Sequence, residues 1–215
     1  MTDKLIDTIV IGILALQGDF KEHKDILESI GGCSVVEIRL PDQLTTIDGL
    51  IIPGGESTTI SKLIHNYGFV SKLKDFHKSG NPIWGTCAGM IVIAKEASSL
   101  APWAPLNFLD ISITRNGYGR QLDSFQTNIK IDKMKPTEDY PGIFIRAPKI
   151  SHIGSKIKVL ARLNNNPVAV QEGNVLATSF HPELTNDKRF HEMFLTLVTQ
   201  RSRSENQKST GLQHR

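Results

Sequence analysis

The chain has 215 residues, of which 39% are hydrophobic and 22% charged, an ordinary globular balance with length for one domain that buries about 70% of its unfolded surface. Its net charge of +3 marks no nucleic-acid face, because residues 201–215 hold four basic residues and one acidic residue and the first 200 therefore balance. The apolar run at 8–16 is too short to span a bilayer; it follows Asp3, Lys4 and Asp7 with no small-residue cleavage site, so neither a membrane partner nor a signal peptide is expected.

Two cysteines, Cys33 and Cys87, make no disulfide framework, and a reducing cytoplasm is the simpler setting. Residues 9–16 form a continuous aliphatic run, the pattern of a strand buried on both faces. Asp19 is placed to cap a helix over 20–30, which Gly31-Gly32 ends. Strands are predicted at 33–40 and 49–52, the second stopped by Pro53-Gly54-Gly55. Helices follow at 57–67 and 70–78, then a strand at 82–86 and an apolar stretch of helical spacing at 88–97. Strands alternating with helices through short Gly-rich turns indicate an α/β fold: a three-layer, open, mostly parallel sheet with helices on both faces.

The second half reads differently. Short strand candidates at 108–114, 124–131, 142–145, 159–163, 167–171 and 175–179 suggest a smaller mixed or antiparallel β region layered onto the first sheet. Asn164-Asn165-Asn166 marks a hairpin turn. A last amphipathic helix covers 187–200, with Phe190, Phe194, Leu197 and Val198 facing inward. Residues 1–200 are read as a single domain and 201–215 as a polar, disordered tail.

Three motifs carry chemistry. Gly85-Thr86-Cys87-Ala88-Gly89 lies between a strand and a helix, the thiol counterpart of the G-x-S-x-G nucleophile elbow. The sharp turn exposes the Cys87 side chain, and flanking glycines admit the tight backbone. A helix N-terminus favours a thiolate beside it, and the Ala88 N–H is placed to hold an oxyanion. A buried structural cysteine is the competing reading.

A thiol ionises near pH 8.5 and needs a base to react at neutrality. His23, His65, His77 and His191 sit in helical patterns with polar neighbours and read as surface residues; His214 lies in the tail, and His152 is ambiguous. His181 stands apart, in Ser179-Phe180-His181-Pro182-Glu183. Pro182 biases His181 to an extended backbone, where residues two apart share a face, so Glu183 is placed to orient the imidazole. A Pro-stopped strand with a chance acid is the alternative.

The third motif, Pro53-Gly54-Gly55-Glu56-Ser57, also ends a strand and opens a helix. Gly55 offers a second oxyanion donor; alternatively, Ser57 is merely an N-cap. Neither G-x-G-x-x-G nor a P-loop is present. All three motifs fall at strand carboxyl ends, where open α/β sheets place their sites.

In this order and spacing the three motifs resemble the triad, or class I, glutamine amidotransferases. Residues 14–18 (Leu-Ala-Leu-Gln-Gly), 115–121 (Arg-Asn-Gly-Tyr-Gly-Arg-Gln) and 144–148 (Phe-Ile-Arg-Ala-Pro) resemble, more narrowly, the glutaminase subunits of pyridoxal 5′-phosphate synthases. The resemblance covers about residues 8–200. It implies hydrolysis of L-glutamine by a catalytic Cys87, His181 and Glu183 through a thioester. It also implies an oxyanion hole from Gly55 and Ala88, completed through Gln17 when a synthase docks. Gly55, Glu56, Ser57, Arg115, Ile145 and Arg146 match glutamine-binding positions. The implied partner is a (β/α)8-barrel synthase subunit. No metal or organic cofactor is implied, pyridoxal 5′-phosphate being the product of the assembly. A γ-glutamyl hydrolase or cysteine peptidase of similar fold, a glutaminase of another amidotransferase, and a non-catalytic subunit are the rival readings.

Overall fold

The computed structural model describes residues 9–97, 100, 102–114, 124–131 and 138–211. The first half alternates as the sequence predicts. Strand β1 (Val10–Leu14) leads into α1 (Phe20–Ile30), and β2 (Ser34–Ile38) is followed by a 3-10 turn at Pro41–Thr46. Strand β3 (Gly49–Ile52) precedes α2 (Ser57–Asn66) and α3 (Phe69–Lys78), and β4 (Ile83–Thr86) runs into the short α4 (Ala88–Ile93).

Helix α4 ends sooner than its spacing predicts. Ala94–Ala97 instead forms β5, pairing in parallel with β6 (Leu109–Thr114). The backbone of Leu106, Asn107 and Phe108 donates to the carbonyls of Val92, Ala94 and Ile93, and this tertiary pairing overrides a helical propensity that is weak over so short a run. Strands β7 (Ser124–Ile131) and β8 (Tyr140–Ile145) come next. Then follow β9 (Lys149–Ile153), β10 (Lys158–Leu163), β11 (Asn166–Glu172) and β12 (Val175–Thr178). Strand β9 has no counterpart in the sequence reading.

Among the described residues the main sheet has nine strands, in the order β2-β1-β3-β4-β12-β11-β10-β7-β8. Its β2-to-β12 half is parallel and the rest antiparallel, so the sheet is mixed. Strands β7, β8, β10 and β11 extend the parallel sheet edgewise rather than lying on it. Among the described residues only β5-β6-β9 forms a separate sheet. Asn164 and Asn165, both at positive φ (46° and 65°), make the β10–β11 turn, a conformation that Asn tolerates better than most residues.

Alternation along the strands sends side chains into two cores. Leu50, Ile52, Ile83 and Ala177 face α2, α3 and α4. Ile51, Trp84 and Leu176 face α1 and α5 (Arg189–Gly211). Phe190, Phe194 and Val198 of α5 are fully buried, as predicted, whereas Leu197, also predicted to face inward, is only partly buried. The helix does not stop at Gln200, however: it continues to Gly211, through residues that the sequence reads as a disordered tail. Arg201 anchors the extension by donating to the Ser79 and Gly80 carbonyls and pairing with Glu205, contacts that composition does not disclose. Among the described residues no helix is long and apolar enough to cross a membrane.

Candidate active site

Cys87 leaves β4 at φ 46° and ψ −102°, a strained conformation for a residue with a Cβ. The surrounding structure imposes it. The Cys87 N–H donates to the Thr178 carbonyl at 2.8 Å, tying the elbow to the end of β12. Behind it α4 presses so closely that a Cβ on Gly89 would stand 1.9 Å from the Ile52 carbonyl oxygen. The glycine of the motif is thus a packing requirement. Cys87 is 7% exposed, with its sulfur over the Ile145 carbonyl at 3.8 Å.

His181 arrives from the end of β12, its N–H bonded to the Ile143 carbonyl of β8 at 2.8 Å. Its Nδ1 lies 2.7 Å from Glu183 Oε1. The contact is local but not by way of a strand pleat: Pro182–Leu184 forms a 3-10 turn, with Pro182 at its first position, and this turn brings the carboxylate back under the ring. His181 and Glu183 are both buried. The Nε2 of His181 has no hydrogen-bond partner, and the ring as a whole interacts electrostatically with Cys87. Long or unaligned catalytic contacts are usual before a substrate completes them.

Asp19 was expected to cap α1, yet its side chain makes no cap hydrogen bond. Its Oδ2 instead lies 3.4 Å from His181 Nδ1. Burial works against a charge on His181, and Asp19, Cys87 and Glu183 outweigh it, pushing its pKa up to about 12. Burial raises Glu183, against the pull of His181. Three acidic groups around one ring favour the imidazolium, which holds a proton ready at the sulfur side. Among the described residues, Asp19, His181 and Glu183 form the compact acid–histidine group whose geometry would suit a metal, but Nδ1 and Oε1 are already spent on each other.

Cys87, His181 and Asp19 open onto a cavity of ≈ 320 Å³, at the small end of the range for small-molecule sites. A profile of the SNO glutamine amidotransferase family matches residues 13–200. The chain belongs to that family. It is 48% identical over 190 residues to the pyridoxal 5′-phosphate synthase subunit PdxT of Dehalococcoides mccartyi, covering 87% of this chain and 96% of the relative. The PdxT of Deinococcus radiodurans is 46% identical over 198 residues, covering 90% and 100% respectively. A crystal structure of a glutamine amidotransferase superposes with TM-score 0.82 at 43% identity, over 88% of this chain and 98% of that one. PurLQS from Thermotoga maritima shares the fold alone, with TM-score 0.61 at 14% identity over 89% and 95%.

In this SNO-family chain nearly all the residues singled out in the sequence come together. Cys87, Ala88, Gly55 and Gln17 line the cavity, with Glu56, Ser57, Ile145, Arg146 and His181. Arg115 and the rest of 115–121 lie outside the described residues. Gln17 Oε1 accepts from the Glu56 N–H at 2.8 Å, joining the loop after β1 to the loop after β3. The Glu56 carboxylate accepts from Thr59 N–H at 2.8 Å; it, rather than Ser57, caps α2. Ser57 Oγ is buried without a hydrogen-bond partner. Asp19 and Ile91 also line the cavity, and sequence reasoning assigned neither to it.

The larger omission is behind the triad. His23 and His191 are fully buried, where the sequence reads both as surface residues. Their polar sequence neighbours point outward, and only the packing of α1 and α5 against the same sheet face turns the two rings inward.

Proposed function

We propose that this chain removes ammonia from L-glutamine through a Cys87–His181–Glu183 triad and supplies it to a synthase partner that makes pyridoxal 5′-phosphate. The observation that carries this reading is the meeting of the Cys87 elbow and the His181–Glu183 pair at one small polar cavity, from segments almost a hundred residues apart.

His181 holds the proton taken from the Cys87 thiol, and the sulfur attacks the carboxamide carbon. The oxygen of the tetrahedral species gains charge, which the N–H groups of Ala88 and Gly55 would stabilise. His181 then donates its proton to the departing nitrogen, ammonia leaves, and a γ-glutamyl thioester remains. Water, deprotonated by His181, attacks the thioester; glutamate is released and the thiol restored. Glu183 holds the ring by its Nδ1 side throughout.

Arg146 would pair with the substrate carboxylate, and the carboxylates of Glu56 and Asp19 suit its ammonium end. Ser57 and Ile145 complete the pocket, and Arg115 belongs to it by its motif. No metal or organic cofactor enters this scheme. The partner is a (β/α)8-barrel synthase, and docking near Gln17 completes the oxyanion hole. The setting is the cytoplasm.

Ammonia release from glutamine, measured with and without the synthase, tests the assignment. The expected result is slow release by the chain alone and a rise of about 100- to 1,000-fold on adding the synthase, the scale of one oxyanion donor. No release in either condition removes the glutaminase reading, and full activity of the isolated chain removes the dependence on docking.

A further inference from the structure

The buried histidines form a continuous polar path behind Glu183. The second carboxylate oxygen, Oε2, lies 3.3 Å from His23 Nε2, short of a formed hydrogen bond to any group. The same Nε2 lies 3.2 Å from Thr86 Oγ1, beside the nucleophile. On its other side His23 Nδ1 is 2.9 Å from His191 Nε2. Two helices therefore each contribute an inward imidazole, and the pair packs edge-on to Trp84. Polar side chains in such a position are costly unless each proton finds an acceptor.

Counting protons decides the tautomers. One proton lies between His23 Nδ1 and His191 Nε2, since two lone pairs or two hydrogens cannot face each other at 2.9 Å. If His23 carried it on Nδ1, its Nε2 lone pair would confront the Glu183 carboxylate inside the protein. With the proton on Nε2, His23 presents an N–H to Glu183 and to Thr86, and its Nδ1 accepts from His191. This arrangement places a donor against the oxygens of Glu183 and Thr86 and against His23 Nδ1; His191 Nδ1 is without a hydrogen-bond partner in either one.

We propose that His23 is a positioning residue for the glutaminase reaction: its Nε2–H steadies Glu183 Oε2 so that Oε1 stays on His181 Nδ1, and His191 fixes the His23 tautomer. The role acts through Glu183 and rests on the triad reading. Burial keeps both rings neutral, holding His23 well below its ordinary value and His191 at about 3, so the path supplies a dipole rather than a charge. The titratable groups around Glu183 are His181, Asp19, His23 and Tyr140; those around His23 are Glu183, His181 and His191. Burial holds the Tyr140 phenol up and uncharged.

The test uses the full chain assayed with its synthase. His23→Met fills the space without a donor; His23→Gln restores an N–H near the Nε2 position. Loss of a supporting contact of this kind costs about 10- to 100-fold. His23→Met should lose that much in kcat with KM changed less than about twofold. Its acidic limb in the pH profile of kcat should move upward, because a carboxylate deprived of a donor is protonated more readily. His23→Gln should recover most of the rate and return the limb. A His23→Met enzyme as fast as the parent, or a His23→Gln enzyme no better than His23→Met, overturns the assignment.

A measurement on the parent chain removes any dependence on variant folding. Nitrogen NMR should find His23 protonated on Nε2 and bare on Nδ1, and the opposite tautomer overturns the proposal. Glu183→Gln, assayed in parallel, separates the two readings. An unaffected Glu183→Gln enzyme defeats the triad itself, whereas a slow one beside a normal His23→Met enzyme defeats only the role of His23.

Discussion

Changing Cys87 to alanine should reduce ammonia release from glutamine to background, a loss of about a millionfold, the scale seen when a covalent nucleophile is deleted. No other described group takes its place. The cavity contains one thiol, and the hydroxyl of Ser57 is the remaining candidate nucleophile among its described lining residues, set on another loop. The fold should tolerate the change. The side chain removed is a single sulfur whose hydrogen bond is a long contact to the Ile145 carbonyl, while the backbone bond from Cys87 to Thr178 remains. Stability should therefore stay within about 1 kcal/mol of the parent. A thermal melt beside the ammonia assay checks both parts; residual turnover above a few parts per thousand would refute the thioester route.

Changing His181 to asparagine should lower kcat by about 100- to 10,000-fold, the usual range for a lost general acid–base. Asparagine keeps an amide able to face Glu183 but has nothing to offer at the Nε2 position toward the sulfur. The binding residues on the loops after β3 and β8 are untouched, so KM should change little. Steady-state kinetics over a range of glutamine concentrations separates the two parameters, and a KM effect that exceeds the kcat effect would make His181 a binding residue instead.

How far the sequence foretold this site depends on the range of the interaction involved. The elbow is legible because G-x-C-x-G between a strand and a helix is a local pattern, although what requires Gly89 is distant packing, against Ile52 with no space for a Cβ. The proximity of His181 and Glu183 was legible for a similar reason, although a 3-10 turn produces it instead of an extended pleat. Asp19 precedes a helix, where a residue is normally the cap, but its partner, His181, lies 162 positions away in sequence. Strand β9 escaped notice because it lies at the sheet's edge and is defined by its pairing with β6. The same holds for His23 and His191, whose burial exists only after α1 and α5 close over Trp84. Local rules locate a motif; they do not say which distant side chain will stand behind it.

The paired imidazoles also bear on how the molecule withstands acid. An unfolded chain takes up protons on both rings once the pH falls below about 6.5, whereas the folded interior refuses them, His191 down to about pH 3. The denatured state thus gains protons that the native state lacks, and each ring erodes stability by about 1.4 kcal/mol per pH unit below that point. Glu183, raised by its burial, opposes part of this by protonating earlier in the native state. His181, raised to about 12 in the native state, also opposes the loss until the unfolded ring is itself protonated below about pH 6.5. The two neutral rings outweigh both groups, so the melting temperature should decline from about pH 6 toward pH 5.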